Sequence, residues 1–88
     1  MQIETTALPG VVILTPNRFA DDRGFFAETW NQAALKAQNI SVDWIQDNHS
    51  MSLEAGTLRG LHFQAPPHGQ AKHVRCGQGA LWDVAVDI

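Results

Sequence analysis

The sequence is short of several residue types, and each shortage narrows what the protein can be. It contains no tyrosine, a single cysteine (Cys76) and only 17% charged residues in a chain of 88. One cysteine permits no internal disulfide, so a reducing, cytoplasmic location is the default expectation. The longest purely aliphatic run, Val11 to Leu14, is far too short to cross a membrane, and no signal-peptide pattern precedes it. We therefore expect a cytoplasmic protein with no membrane partner.

Positive charge is also scarce. The net charge is −3, which argues against a general nucleic-acid binder but leaves room for a small anionic ligand held by a few arginines. Hydrophobic residues make up 44% of the chain, as in folded proteins. A chain of 88 residues holds one small domain at most, and its stability as a monomer would be marginal without a partner.

Short apolar segments separated by turn signals dominate what is present. One helix is predicted over residues 32–38, with Asn31 as its cap. Turns are expected at residues 21–24 and 66–69, and a tight hairpin at residues 77–79. Strands are predicted over residues 11–15, 25–30, 42–46, 57–64, 72–76 and 80–88. This pattern predicts an all-β sandwich or barrel with one short helix. Because the chain stops inside the last strand pattern, we expect the barrel to be incomplete.

Histidines first raise the question of a metal site. His49, His62, His68 and His73 could supply nitrogen ligands, and a zinc or iron site needs three or four such groups. Metal-binding cupin barrels usually carry two histidines one residue apart on a strand, and this sequence has no His-x-His pair. No acidic residue lies between His62 and Asp83 either. We therefore predict that the protein holds no metal.

A second constellation suits acid–base chemistry. If residues 57–64 form a regular strand, His62 lies on one face and Arg59 on the other. His62, Lys72 and Asp83 could then converge on one cavity. A histidine is well matched to remove a proton next to a carbonyl at cellular pH, and a nearby ammonium would stabilise the resulting enolate. The alternative, a structural histidine beside a solvated lysine, stays open at this point.

Two arginines form the third constellation. A guanidinium matches a diphosphate better than the point charge of lysine does. Arg23 lies in a turn beside two aspartates, where a solvated loop residue is the simpler interpretation. Arg59 shares a segment with His62, so either Gly60 permits a bulge or Arg59 serves another site, such as one across a dimer interface.

Six segments together resemble the dTDP-4-dehydrorhamnose 3,5-epimerase family of nucleotide-sugar enzymes. They keep the family's order from one end of the chain to the other. They are LPGV (8–11), FADDRGFFAETW (19–30), QDNHS (46–50), GTLRGLHFQ (56–64), QAK (70–72) and DVAVDI (83–88). Any one of them is weak, but the set is highly specific.

The resemblance implies a cupin-type double-stranded β-helix, or jelly roll, that forms homodimers. It implies epimerisation of a dTDP-4-keto-6-deoxy sugar in dTDP-rhamnose biosynthesis, with no cofactor and no metal. His62 would be the base and Lys72 the enolate stabiliser, with Asp83 as a helper. Arg23 and Arg59 would bind the diphosphate. The rest of the nucleotide-sugar site would be lined by Glu28, Gln46, Asp47 and Asn48, some of them from the partner subunit.

Departures from the family pattern matter as well. Family members are roughly twice as long, and their proton donor is a tyrosine, a residue type that this chain lacks. The resemblance therefore predicts that residues 1–88 are the N-terminal portion of one epimerase domain, with doubtful activity in this form. His73 follows Lys72 where an aliphatic residue is expected. The alternatives are a related one-carbon epimerase, a 3,4-ketoisomerase, or a non-catalytic binding or dimerisation fragment.

Overall fold

The computed structural model describes residues 1–88 and divides them into two units. The first unit comprises Met1–Ser41 and Asp83–Ile88, and the second comprises Val42–Trp82. All regular secondary structure lies in the first unit. In chain order the elements are β1 (Gln2–Thr5), β2 (Val12–Thr15), β3 (Arg18–Asp21), β4 (Gly24–Ala27) and α1 (Gln32–Lys36).

The first hairpin pairs β1 with β2 in antiparallel register, with Gln2 opposite Thr15. Its loop turns at Pro9-Gly10, where the backbone N–H of Val11 donates to the carbonyl of Leu8 at 3.1 Å. Gly10 has a φ of 84°, a conformation that the third position of such a proline-led turn requires and that glycine adopts without strain. The strand predicted at residues 11–15 is confirmed, whereas β1 lacks a strong sequence pattern and was not predicted.

The second hairpin pairs β3 with β4 through a two-residue turn, with Asp21 opposite Gly24. Phe19 and Phe26 lie directly across from each other, an aromatic pairing that stabilises antiparallel strands. The guanidinium carbon of Arg18 lies 3.7 Å from the centre of the Phe25 ring, so a cation–π contact adds to the pairing. The predicted turn at residues 21–24 is confirmed, but the strand predicted to reach residue 30 ends at residue 27.

Helix α1 begins and ends at identifiable signals. The side-chain oxygen of Asn31 accepts a hydrogen bond from the N–H of Ala34 at 3.0 Å, which satisfies one of the unpaired donors of the first turn. Asn39 adopts a φ of 66°, the left-handed conformation that commonly follows a helix C-terminus. The predicted helix and its cap are therefore confirmed, with an end two residues earlier than expected. Leu35, in the middle of α1, is 1% exposed and is the buried core residue.

In the second unit the strand predictions are wrong. Residues 42–46, 57–64 and 72–76 form no strand, and neither do residues 80–88, which span both units. The turn predicted at residues 66–69 is present, because the N–H of His68 donates to the carbonyl of Ala65 at 2.9 Å. Residues 77–79 form a bend without flanking strands. Alternating apolar residues specify a strand only when a neighbouring strand accepts their backbone hydrogen bonds, and no such neighbour is present.

Two antiparallel hairpins and one short helix make this an all-β fold, consistent with an incomplete cupin-like architecture. The expectation of an incomplete all-β fold with one short helix is therefore confirmed. Each sheet contains two strands, so neither closes on itself. No helix is long and apolar enough to span a bilayer.

Candidate functional site

A cavity of about 290 Å³ lies in the first unit between the second hairpin and α1. Glu28, which follows β4 directly, is on its wall. The other polar side chains of the cavity are amides, and its apolar side chains come from β3, β4, α1 and the N-terminal Met1. The other lining residues are Met1, Asn17, Phe19, Phe26, Asn31, Ala34, Leu35 and Gln38. A cavity that combines aromatic walls with a few polar groups is typical of small-molecule sites, and this one is at the small end of their range.

Arg23, at the tip of the second hairpin, is held by Asp21. Its Nη2 donates to Asp21 Oδ2 at 2.6 Å, and its backbone N–H donates to Asp21 Oδ1 at 2.9 Å. The guanidinium hydrogen bond, and then the backbone one, keep the pKa of Asp21 below its ordinary value. The arginine side chain is 87% exposed, so its remaining donors face solvent. Arg23 is therefore held in the turn by Asp21 and is not simply a solvated loop residue.

The amide segment, by which we mean residues 46–48, lies in the second unit together with Arg59. Gln46 Nε2 donates to Asn48 Oδ1 at 3.4 Å, so these two side chains face each other. Arg59 Nη2 donates to the carbonyl of Met51 at 3.3 Å, which links Arg59 to the chain just beyond the amide segment. Asp47 is exposed.

His62 and Lys72 both lie in the second unit, and both are exposed. Asp83 belongs to the first unit, so the predicted trio is not assembled within either unit and remains a prediction. The separation of Arg59 and His62 onto opposite faces does not hold, because residues 57–64 form no regular strand. Gly60 between them has a φ of 106°, and a Cβ there would lie 3.6 Å from the backbone nitrogen of His62. The contact leaves room for a side chain, but the positive φ is a conformation that glycine adopts with least strain.

The remaining histidines have separate surroundings. His68 lies in the Pro66-Pro67 turn, and the ring of His73 stacks on Trp44. No group of three or more histidine, cysteine, aspartate or glutamate side chains is arranged to hold a metal ion. Cys76 is a free, exposed thiol whose Sγ donates to the carbonyl of Gln78 at 3.2 Å.

Sequence reasoning missed three features of these surroundings. Asp21 could have been assigned as the partner of Arg23 from the sequence, because an aspartate side chain commonly accepts a hydrogen bond from the N–H two residues further along a turn. The aromatic wall formed by Phe19 and Phe26 could have been inferred only with β3 in place. No pattern in the sequence announces the Trp44–His73 stack, because the two residues are far apart in the chain.

The family comparison and the comparison with curated proteins find the same protein family over nearly all of the chain. A family model described as dTDP-4-dehydrorhamnose 3,5-epimerase matches residues 5–88. The chain is 48% identical to the dTDP-4-dehydrorhamnose 3,5-epimerase of Shigella flexneri over 89 aligned residues, 100% of this chain and 49% of the relative. It is 49% identical to the Escherichia coli (strain K12) protein of that name, covering 100% of this chain and 48% of the relative.

A more distant relative agrees. The protein of that name from Methanothermobacter thermautotrophicus is 46% identical over 83 residues, 94% of this chain and 44% of the relative. The chain therefore spans about half the length of the curated relatives described here. No solved structure shows a significant match to the structure of this chain.

Proposed function

Since this chain belongs to the dTDP-4-dehydrorhamnose 3,5-epimerase family, we propose that it supplies the base half of an epimerase acting on a dTDP-4-keto-6-deoxy sugar. The observation that carries the proposal is the family match over residues 5–88, which includes the segment with Arg59 and His62 and the position of Lys72. The reaction is an isomerisation at carbons 3 and 5 in dTDP-rhamnose biosynthesis. The second unit supplies the base and the enolate stabiliser, and the first supplies the helper and part of the binding surface.

The proposed chemistry begins at His62. Neutral imidazole removes the proton from the carbon next to the 4-keto group, and the electron pair moves into the ketone to form an enolate. The Lys72 ammonium stabilises the negative oxygen, with Asp83 as a helper to Lys72. Returning a proton to the opposite face of that carbon then inverts it. The ketone itself acidifies the neighbouring C–H bonds, so the chemistry requires neither a metal nor a cofactor.

Substrate binding falls to two arginines, a glutamate and the amide segment. Arg23 and Arg59 bind the diphosphate, because each retains guanidinium donors beyond the contacts described above. Glu28 lines the nucleotide-sugar site, and its place on the cavity wall supports this role. The amide segment of Gln46, Asp47 and Asn48 supplies hydrogen bonds to the sugar nucleotide, and the Gln46–Asn48 contact orients two of these side chains.

Both units, in this proposal, belong to one cupin-like epimerase domain in which residues 1–88 are the N-terminal portion. The proton donor then lies outside these residues, since they contain no tyrosine and span about half the length of the curated relatives. We place the protein in the cytoplasm as a homodimer. The free, exposed thiol of Cys76 suits a reducing compartment.

The test joins residues 1–88 to the second half of the Escherichia coli relative and measures deuterium uptake from D₂O. We expect the joined protein to incorporate deuterium at carbons 3 and 5 of dTDP-4-dehydro-6-deoxyglucose and to form the epimerised product. We expect residues 1–88 alone to form none. Uptake at one carbon only would favour a one-carbon epimerase. A joined protein that folds and binds dTDP but forms no product would contradict the proposal.

A further inference from the structure

An aromatic contact in the second unit joins two residues that are far apart in the chain. The rings of Trp44 and His73 stack with their centroids 6.0 Å apart and their planes 26° from parallel. This separation is within the range in which aromatic pairs attract each other. The hydrogen bonds described above for this unit join residues at most eight positions apart. The stack therefore spans a far longer stretch of sequence than those hydrogen bonds.

Each ring is next to a residue of the proposed site. Trp44 precedes Gln46 by two positions, with Ile45 between Trp44 and the amide segment. His73 follows Lys72 immediately. We infer that the Trp44–His73 stack fixes the position of the amide segment relative to Lys72. Trp44 and His73 are therefore positioning residues. This inference rests on the proposed function for the roles of the two segments it joins.

Lysine is the kind of residue that needs such support. Its ammonium sits on a flexible four-carbon stem, so its position depends on how well the backbone beneath it is held. Misplacement by about 1 Å can cost about 100-fold in rate. The stack restrains the backbone next to Lys72 and leaves the ammonium to the substrate. Imidazole stacks on indole whether neutral or protonated, so the restraint does not depend on a particular charge state.

His73 is also where this sequence departs from the aliphatic residue expected beside Lys72. The structure places the imidazole, which is exposed, against an indole that is 38% exposed. An aromatic ring at position 73 therefore has a partner that an aliphatic residue would contact less specifically.

The test uses the 88-residue chain labelled with ¹⁵N. We expect His73→Ala to shift the Trp44 indole N–H resonance and the backbone amides of residues 46–48. Trp44→Ala should shift the amide of Lys72, and Trp44→Phe assigns the indole resonance. His73→Phe, which keeps a ring, should restore the amides of residues 46–48. His68→Ala, the same change in a turn without this contact, should leave them unchanged. If His73→Ala moves only residues 72–74, the inference is wrong.

A titration with thymidine diphosphate separates this inference from the proposed function. We expect His73→Ala to weaken binding by about 2- to 10-fold and His73→Phe to restore it. If the unmodified chain binds no thymidine diphosphate, the proposed binding role of these residues fails, while the amide shifts still decide whether the stack joins the two segments. If the chain binds and His73→Ala binds equally well, the positioning role is wrong.

Discussion

The two units of this chain differ in their secondary structure and in the proposed catalytic residues that they contain. The first contains every strand and the helix, a buried leucine and a cavity, but in our proposal it contributes binding residues and a helper. The second contains no strand or helix and no buried residue, yet it carries the proposed base and enolate stabiliser. Regular secondary structure in this chain therefore coincides with local signals such as turns, caps and cross-strand pairs, and the segment with the proposed base has no strand or helix.

The largest expected effect concerns the second unit. In the joined protein, Lys72→Met should lower kcat by about 10²- to 10³-fold, because the enolate oxygen loses its charged donor. KM should change little by comparison. Initial rates of product formation measure both. Lys36→Met, the same change at the end of α1, is the control. Equal losses from the two substitutions would show that charge alone, and not a site at Lys72, is responsible.

The second prediction concerns the core of the first unit. Leu35→Ala should lower its free energy of unfolding by about 2–4 kcal/mol, since it removes the buried side chain of α1. Leu58→Ala should change stability by less than about 0.5 kcal/mol, because that side chain is 92% exposed. Urea unfolding of the 88-residue chain, together with amide hydrogen exchange in α1, measures the difference. Similar losses from both would erase the contrast between the units.

The third prediction concerns diphosphate binding. Arg59→Lys in the joined protein should weaken dTDP binding by about tenfold, or ~1.4 kcal/mol, because an ammonium cannot reproduce the guanidinium fork. Arg75→Lys is the matched control in the same unit. Isothermal titration calorimetry gives both dissociation constants. Unchanged affinity for Arg59→Lys would remove this arginine from the site.

The smallest effect concerns the hairpin tip. The pKa of Asp21 is lowered chiefly by the Arg23 guanidinium. The Asp21–Arg23 pair therefore stabilises the folded state fully above the unfolded pKa of the carboxyl group. This stabilisation is lost as the pH falls through the lower, folded value. NMR titration of the Asp21 carboxyl should show this lowered midpoint, and Arg23→Gln should raise it toward the ordinary one. Asp22, beside it in the turn, is the comparison residue. An Asp21 midpoint unaffected by Arg23→Gln would contradict the pairing.

The sequence predicted the parts of the fold that local chemistry determines. The cap at Asn31, the turns at residues 21–24 and 66–69 and the strand from residue 12 follow from side-chain and backbone preferences within a few residues. The strands predicted between residues 42 and 88 failed because alternation of apolar residues says which face a strand buries, and not whether a partner strand is present.

The candidate site was predictable to a different degree. Individual residue types and the family resemblance proposed Arg59, His62 and Lys72, which stay predictions, and comparison with relatives confirmed the family. The contacts near the candidate residues were harder to predict. Asp21 follows a known turn pattern and could have been assigned to Arg23, whereas the Trp44–His73 stack depends on tertiary placement that no short pattern encodes.

The most direct test of the central claim is a comparison of two histidines in the joined protein. His62→Asn and His68→Asn make the same chemical change six positions apart, and deuterium uptake at carbons 3 and 5 is measured for each. Loss of a general base predicts that His62→Asn slows uptake by about 10²- to 10⁴-fold, while His68→Asn exchanges at the unmodified rate. Uptake by His62→Asn at the unmodified rate would contradict the assignment of the base to this chain.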